Sequence, residues 1–160
     1  MIYLEAYRQL HRHGMFKGFS LEKHINKITE LLKEHGCKSV LDYGCGKAIL
    51  HIRGITKEWG NVSLYDPAVD EFEKLPEGKF DAVICTDVLE HVPEQELDQT
   101  LQIIFSKATK LVCLNISTKE AKKFLPNGIN AHVTVRPSEW WLGKLDSYRQ
   151  GQVMWVNFDA

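Results

Sequence analysis

Two glycines behind an aspartate, in Val40-Leu41-Asp42-Tyr43-Gly44-Cys45-Gly46-Lys47-Ala48, are the residues of this chain best suited to hold a ligand against the backbone. An apolar run stops at Asp42, and Gly44 and Gly46 permit a tight bend and close ligand approach. Asp66 stands 20 residues beyond Gly46, at the end of a second apolar run. Its carboxylate is placed to accept both hydroxyls of an adenosine ribose, and such bonds contribute about 1.5–3 kcal/mol each. The dinucleotide turn GxGxxG, begun at Gly44, needs a small residue at position 49, where this chain has Ile49. Asp42 would repel a pyrophosphate and attract a cation, such as the ammonium of a methionine moiety. The loop therefore favours S-adenosylmethionine over NAD.

A second constellation is Asp87-Val88-Leu89-Glu90-His91, followed far downstream by the polar turn Asn127-Gly128-Ile129-Asn130-Ala131-His132. Asp87, Glu90, His91, His132 and Glu139 are the candidate polar groups for acid–base work. Group transfer from a bound cofactor needs alignment first; a base is required only when the acceptor must lose a proton. His91, His132 and Asp87 are the catalytic candidates. The plainer reading is that Glu90 and His91 orient the loop and cap the helix that follows.

These residues need a scaffold. Lys38–Asp42, Val62–Asp66, Phe80–Cys85 and Lys110–Asn115 are short, almost continuously apolar runs, as in parallel strands covered on both faces. Leu21, Ile25, Ile28, Leu31 and Leu32 recur at helical spacing, which predicts a helix from Leu21 to His35 with Ser20 as its cap and Gly36 as its end. A shorter helix is expected around Ile2–His11. Leu97, Leu101, Ile104 and Phe105 mark another helix, and Trp140, Trp141 and Leu145 a further one with Pro137 near its first turn. Gln152–Phe158 alternates like a half-buried strand. The alternation of helix and strand predicts an α/β fold, a Rossmann-like three-layer sandwich with a mainly parallel sheet and ligands at the carboxyl ends of its strands. One domain is expected over 1–160, with 1–37 a helical cap and 38–160 the core.

Composition narrows the function. The chain has 160 residues, 44% apolar and 26% charged, and a net charge of −1. That balance argues against disorder and against general nucleic-acid binding, which favours a basic excess. No run reaches the roughly 18 apolar residues of a membrane span, and the first residues lack a secretory pattern, so a cytoplasmic protein is expected. Cys37, Cys45, Cys85 and Cys113 form no CxxC pair and read as free thiols.

"VLDYGCGKA", "LYDP" and "FDAVICTDVLEHVP", in that order over residues 38 to 93, resemble the glycine-loop, ribose and strand-loop-helix motifs of class I S-adenosylmethionine-dependent methyltransferases. The resemblance implies that Asp42, Gly44, Cys45 and Gly46 line the methionine and ribose side of the cofactor. Asp66 would hold the ribose hydroxyls and Pro67 would lie beside the adenine. Thr86, Asp87 and Val88 would border cofactor and substrate. The acid-x-x-Glu-His pattern is similar to the metal-binding segment of ubiquinone-type O-methyltransferases, which implies a possible divalent ion at Asp87, Glu90 and His91 with His132 nearby. The segment His11–Ser20 would be either a lid over the cofactor or a solvated arm.

The chain departs from the family pattern in three places. Ala48 replaces the usual third glycine. Pro67–Lys79 is too short for the family's helix and strand, so the adenine pocket is abbreviated. The final strand hairpin is incomplete, leaving sheet edges through which the chain could self-associate. The motifs of amino-methylating DNA enzymes and of cytosine-C5 enzymes are absent. A small-molecule acceptor methylated on oxygen or nitrogen is the leading expectation, with an RNA end or a protein side chain still open. The competing class is a degenerate module that binds cofactor or a partner without turnover. The acceptor pocket is expected between the Thr86–His91 loop and the His132–Trp141 segment, with one of the two tryptophans in the core and the other able to wall the pocket.

Overall fold

The computed structural model describes all 160 residues. Five parallel strands form one sheet in the order β2-β1-β3-β4-β5, with β1 Ser39–Tyr43, β2 Asn61–Tyr65, β3 Phe80–Thr86, β4 Ala108–Ser117 and β5 Val153–Asp159. The chain leaves β1 for β2 on one side and returns to β3 on the other. That switch opens a crevice at the carboxyl end of β1, where Asp42 and the glycine loop lie.

The strands are apolar on both sides because both faces are covered. Leu41, Val83, Cys85, Val112 and Leu114 point to the face packed by α4 (Glu94–Lys107) and α5 (Ser138–Asp146). Their neighbours Val40, Ala82, Ile84, Leu111 and Cys113 point to the opposite face, against Ile28, Leu31 and Leu32 of α2 (Ile25–Glu34) and the buried Trp59. Trp59 donates its indole N–H to Thr29 Oγ1 at 2.8 Å, tying the end of the β1–β2 connection to α2.

The expected Leu21–His35 helix is shorter and has a different start. Ser20–His24 forms a 3-10 turn, the α-helix begins at Ile25, and Ser20 makes no capping bond. Leu21 and His24 are both buried in this turn. Gly36 ends the helix at φ 59°, with Cys37 N–H on Leu32 C=O at 2.8 Å. α1 (Leu4–Arg12) packs Tyr7 and Leu10 with Ala68, Leu125 and Ala131 in a small apolar cluster above the strand ends. The helix after the glycine loop, α3 (Ile49–Ile52), is a single turn. Between β2 and β3 there is only a 3-10 turn at Asp70–Phe72, as the short Pro67–Lys79 segment requires. No helix is long and apolar enough to cross a membrane.

Candidate active site

The glycine loop is held by backbone bonds on its β2 side. Gly44 and Cys45 N–H both donate to Tyr65 C=O, at 2.7 and 3.0 Å, and Gly46 N–H donates to Asp66 Oδ2 at 2.8 Å. On the β3 side Gly44 touches the Val88 side chain so closely that a Cβ there would sit 2.2 Å from Val88 Cγ2. Gly44 also has φ 87°, a region open to glycine and strained for other residues. Ala48 takes φ 50° where the family pattern has its third glycine.

Asp66 is nearly buried, and its other oxygen, Oδ1, accepts Ala68 N–H at 2.9 Å. Each carboxylate oxygen has a second lone pair, so both remain able to accept from a ribose. Burial raises the Asp66 carboxyl above the usual carboxylate range, against the two backbone donors and the nearby His11. Pro67 and Ala68 continue the same wall.

Asp42 carries a partner that the sequence reading did not single out. His51 Nε2 donates to Asp42 Oδ2 at 2.7 Å, and the other ring nitrogen meets Thr56 Oγ1 at 2.7 Å. The Trp59 ring lies edge-on to the imidazole. The available signal was position: His51 lies nine residues beyond Asp42 in the helical turn that the glycine loop opens. Asp42 Oδ1 stays free to meet a ligand cation.

These groups line one cleft. Asp42, Gly44, Cys45, Gly46, Asp66 and Pro67 form its β1–β2 side. Thr86, Asp87, Val88 and His91 form its β3 side. Tyr7, His11, Phe16, Gly18 and Ser20 roof it, so the His11–Ser20 segment covers the cleft and is no free arm. Tyr7 Oη donates to Ala131 C=O at 2.8 Å and pins the roof. The ring of His11 leans on Phe16 at 4.9 Å, and its Nδ1 is buried without a hydrogen-bond partner. Burial lowers the His11 pKa, against the pull of the Asp66 carboxylate nearby.

A second, more polar cavity adjoins the cleft and shares Phe16, Gly18, Ser20, Asp87 and His91 with it. Here His91 Nδ1 lies 2.7 Å from Ala131 C=O, and His132 Nδ1 lies 2.6 Å from Lys119 C=O. A carbonyl only accepts, so both rings carry Nδ1–H and both keep a free Nε2 lone pair. The two rings stand edge to face at 4.9 Å. Burial, then the neighbouring His132, pushes the His91 pKa down to about 4.

Glu90 is fully buried. Oε1 accepts Ser117 N–H at 3.1 Å, while Oε2 has no partner. Burial, reinforced by Asp87, pushes its carboxyl up to about 8, so it holds a proton at neutral pH. Asp87, at φ 55°, accepts from Asn115 Nδ2, whose second hydrogen reaches Asp159 Oδ2 at 3.1 Å.

The group within reach of one ion is Glu90, His91 and His132, whose ligand atoms lie within 4.8 Å of one another. Asp87 is outside it, because its carboxylate turns to Asn115; this differs from the expected Asp87–Glu90–His91 set. The capping role fails as well: α4 starts after Pro93 with no side-chain cap, and Glu90 and His91 instead fasten β4 and the 131 turn. Trp141 is wholly buried in the core, and Trp140 is half-buried beneath Arg136 and Lys144. Neither lines the cleft or the second cavity; Lys119–Lys123 and the end of β5 stand there instead. Glu139 is exposed on α5 and belongs to neither.

A family model described as a methyltransferase domain matches residues 12–141. The chain belongs to the methyltransferase-domain family. The match spans the glycine loop, Asp66, the Asp87–His91 turn and His132, and it agrees with the Rossmann-like parallel sheet. The family is a generic S-adenosylmethionine-dependent methyltransferase fold, and the match selects no subtype within it. No curated protein matches the chain. The five-stranded sheet carries this methyltransferase domain, with β2 passing to β3 through a short connection.

Proposed function

We propose that this methyltransferase domain binds S-adenosylmethionine in the cleft and transfers its methyl group to an oxygen or nitrogen of a small molecule seated in the second cavity. The observation that carries this reading is the junction: the cleft lined by Asp42 and Asp66 opens at Asp87 and His91 into a cavity with two imidazole lone pairs. In this reading Asp66 accepts the ribose hydroxyls and Asp42 Oδ1 meets the methionine ammonium, with His51 holding the Asp42 carboxylate in place. The roof of Tyr7, His11 and Phe16 excludes water, and in-line alignment supplies most of the acceleration.

The acceptor heteroatom hydrogen-bonds to His91 Nε2. Burial keeps that ring unprotonated at neutral pH, so its lone pair is always available. A ring of such low basicity orients the acceptor through this lone pair, with the His132 ring edge-on beside it. Protonated Glu90 can donate from Oε2 into the same space.

The test is calorimetry with S-adenosylmethionine and S-adenosylhomocysteine, followed by a methyl-donor turnover screen over small hydroxylated and amino compounds. Binding with turnover on some acceptor supports the reading. Binding without turnover on any class, including RNA ends and protein side chains, identifies a catalytically degenerate binding module. Failure to bind either cofactor form refutes it.

A further inference from the structure

The second cavity gathers lysines, two of which have no partner in the protein. Five lysines line it: Lys17, Lys23, Lys119, Lys122 and Lys123. Of these only Lys23 meets a side-chain carboxylate, Asp159 at 3.5 Å. Lys119 Nζ donates to the main-chain oxygen of Ala160 and Lys123 Nζ to Met15 C=O, and Lys17 and Lys122 have no protein partner. Lys123 also lies 4.7 Å above the Phe16 ring, at the junction with the cleft. Burial and then the nearby Lys17 ammonium hold Lys123 below the usual lysine range, as expected of like charges gathered together.

Four acids line the same cavity, one fewer than the lysines: Asp159 pairs with Lys23, Asp87 accepts from Asn115, Glu90 is buried against Ser117 N–H and Glu120 is exposed. None of them pairs with Lys17 or Lys122. The chain as a whole has a net charge of −1, so the cluster is local and not a consequence of a basic protein. Lys17 and Lys122 stand in this concave site without a salt-bridge partner, and an anion relieves the repulsion among neighbouring ammonium groups. Phe16, Phe19 and Phe158 line the cavity as well and give flat apolar surface beside the charges.

We infer that the methyl acceptor carries an anionic group, a carboxylate or a phosphate, on a flat apolar body, with the anion held at Lys17 and Lys122 and the reacting heteroatom at His91 and His132. This rests on the second cavity being the acceptor site of the methyltransferase reading above. The lysines select the substrate, and the imidazoles face the atom to be methylated.

Calorimetry on the full chain saturated with S-adenosylhomocysteine tests it, using benzoate, phenyl phosphate and benzyl alcohol as probes. At least one anion is expected to bind about tenfold or more tightly than benzyl alcohol, with an affinity that falls as salt is raised. The tighter of the two anions tells carboxylate from phosphate. In a Lys17→Gln/Lys122→Gln variant that preference is expected to vanish, while affinity for S-adenosylhomocysteine stays within about twofold. Lys123 is left intact because it fastens the roof through Met15. Anions that bind no better than benzyl alcohol, or a preference that survives in the variant, would overturn the inference. If S-adenosylhomocysteine itself fails to bind the wild-type chain, the methyltransferase reading falls. The same three titrations on the ligand-free protein then still decide whether the anion site exists.

Discussion

Replacing Gly44 with alanine tests the architecture of the cofactor loop at its tightest point. Two costs add there. The φ of 87° is strained for any residue with a Cβ, at about 1–2 kcal/mol. The new methyl would also lie 2.2 Å from Val88 Cγ2 and 3.2 Å from Val88 Cβ. Val88 is β-branched and stiff at χ1, so the backbone must give way, at a further cost of about 1–3 kcal/mol. Gly46→Ala is the internal control. Its φ is 54°, but the nearest atom to a Cβ is His11 Cε1 at 3.7 Å, an ordinary contact. It bears the conformational cost alone. Urea unfolding should therefore rank Gly44→Ala below Gly46→Ala by about 1–3 kcal/mol. Adding Val88→Ala to Gly44→Ala should recover most of that difference, since the atom in conflict is removed, giving a favourable coupling of about 1–3 kcal/mol in the double-mutant cycle. Equal stability of the two glycine variants, or a cycle that closes with no coupling, would refute the account of Gly44 as a site of contact between the loop and the β3 turn.

Three more outcomes follow from the site. Asp66→Asn should weaken S-adenosylhomocysteine binding at least about tenfold by calorimetry, and should also lower stability by about 1–3 kcal/mol, because Gly46 N–H or Ala68 N–H loses its acceptor. Glu90 holds its proton up to about pH 8 when folded but only to the ordinary glutamate range when unfolded. The folded state thus binds the extra proton, and stability is lost as pH rises through that window. His91, pushed down to about 4, acts in the opposite sense below its ordinary pKa and partly masks the trend there. Between about pH 6.5 and 8, unfolding free energy should fall by up to about 1.4 kcal/mol per pH unit, a slope that Glu90→Gln should remove in pH-resolved urea titrations. His132→Ala should depress turnover while leaving cofactor affinity within about twofold, since His132 lines the second cavity and not the cleft; loss of cofactor affinity in step with stability would make it a structural residue.

Local sequence was enough to read the scaffold of the site. Covered parallel strands must be apolar on both faces, so the runs at 40–42, 62–65, 80–85 and 110–115 stand out without any partner being known. A backbone that turns at φ 87° accepts glycine readily and little else, so Gly44 marks its own turn. An acid at the end of the next strand falls beside that turn because β1 and β2 are neighbours in register, Tyr43 opposite Tyr65. The cleft residues Asp42, Gly44, Cys45, Gly46, Asp66, Thr86, Asp87 and Val88 lie together for that reason.

Contacts between segments distant in the chain have no such local signature, and only the tertiary structure decided them. His51 belongs to Asp42 because one helical turn folds back over the loop; nothing in its neighbours along the chain marks it as a partner. Ser20 looks like a cap, but burial of Leu21 and His24 draws the segment into a 3-10 turn beside the cleft. The Asp87-x-x-Glu90-His91 spacing suggests three converging ligands, yet Asn115 on β4 takes Asp87 away and His132, 41 residues beyond His91, takes its place. Trp140 and Trp141 look equally suited to a pocket wall, and helix α5 places them in and against the core instead. The lysines of the second cavity come from residues 17–23 and 119–123. Each stretch reads in sequence as ordinary solvated charge, and their electrostatic meaning arises only when folding brings the two stretches to one cavity, where Lys17 and Lys122 find no carboxylate partner.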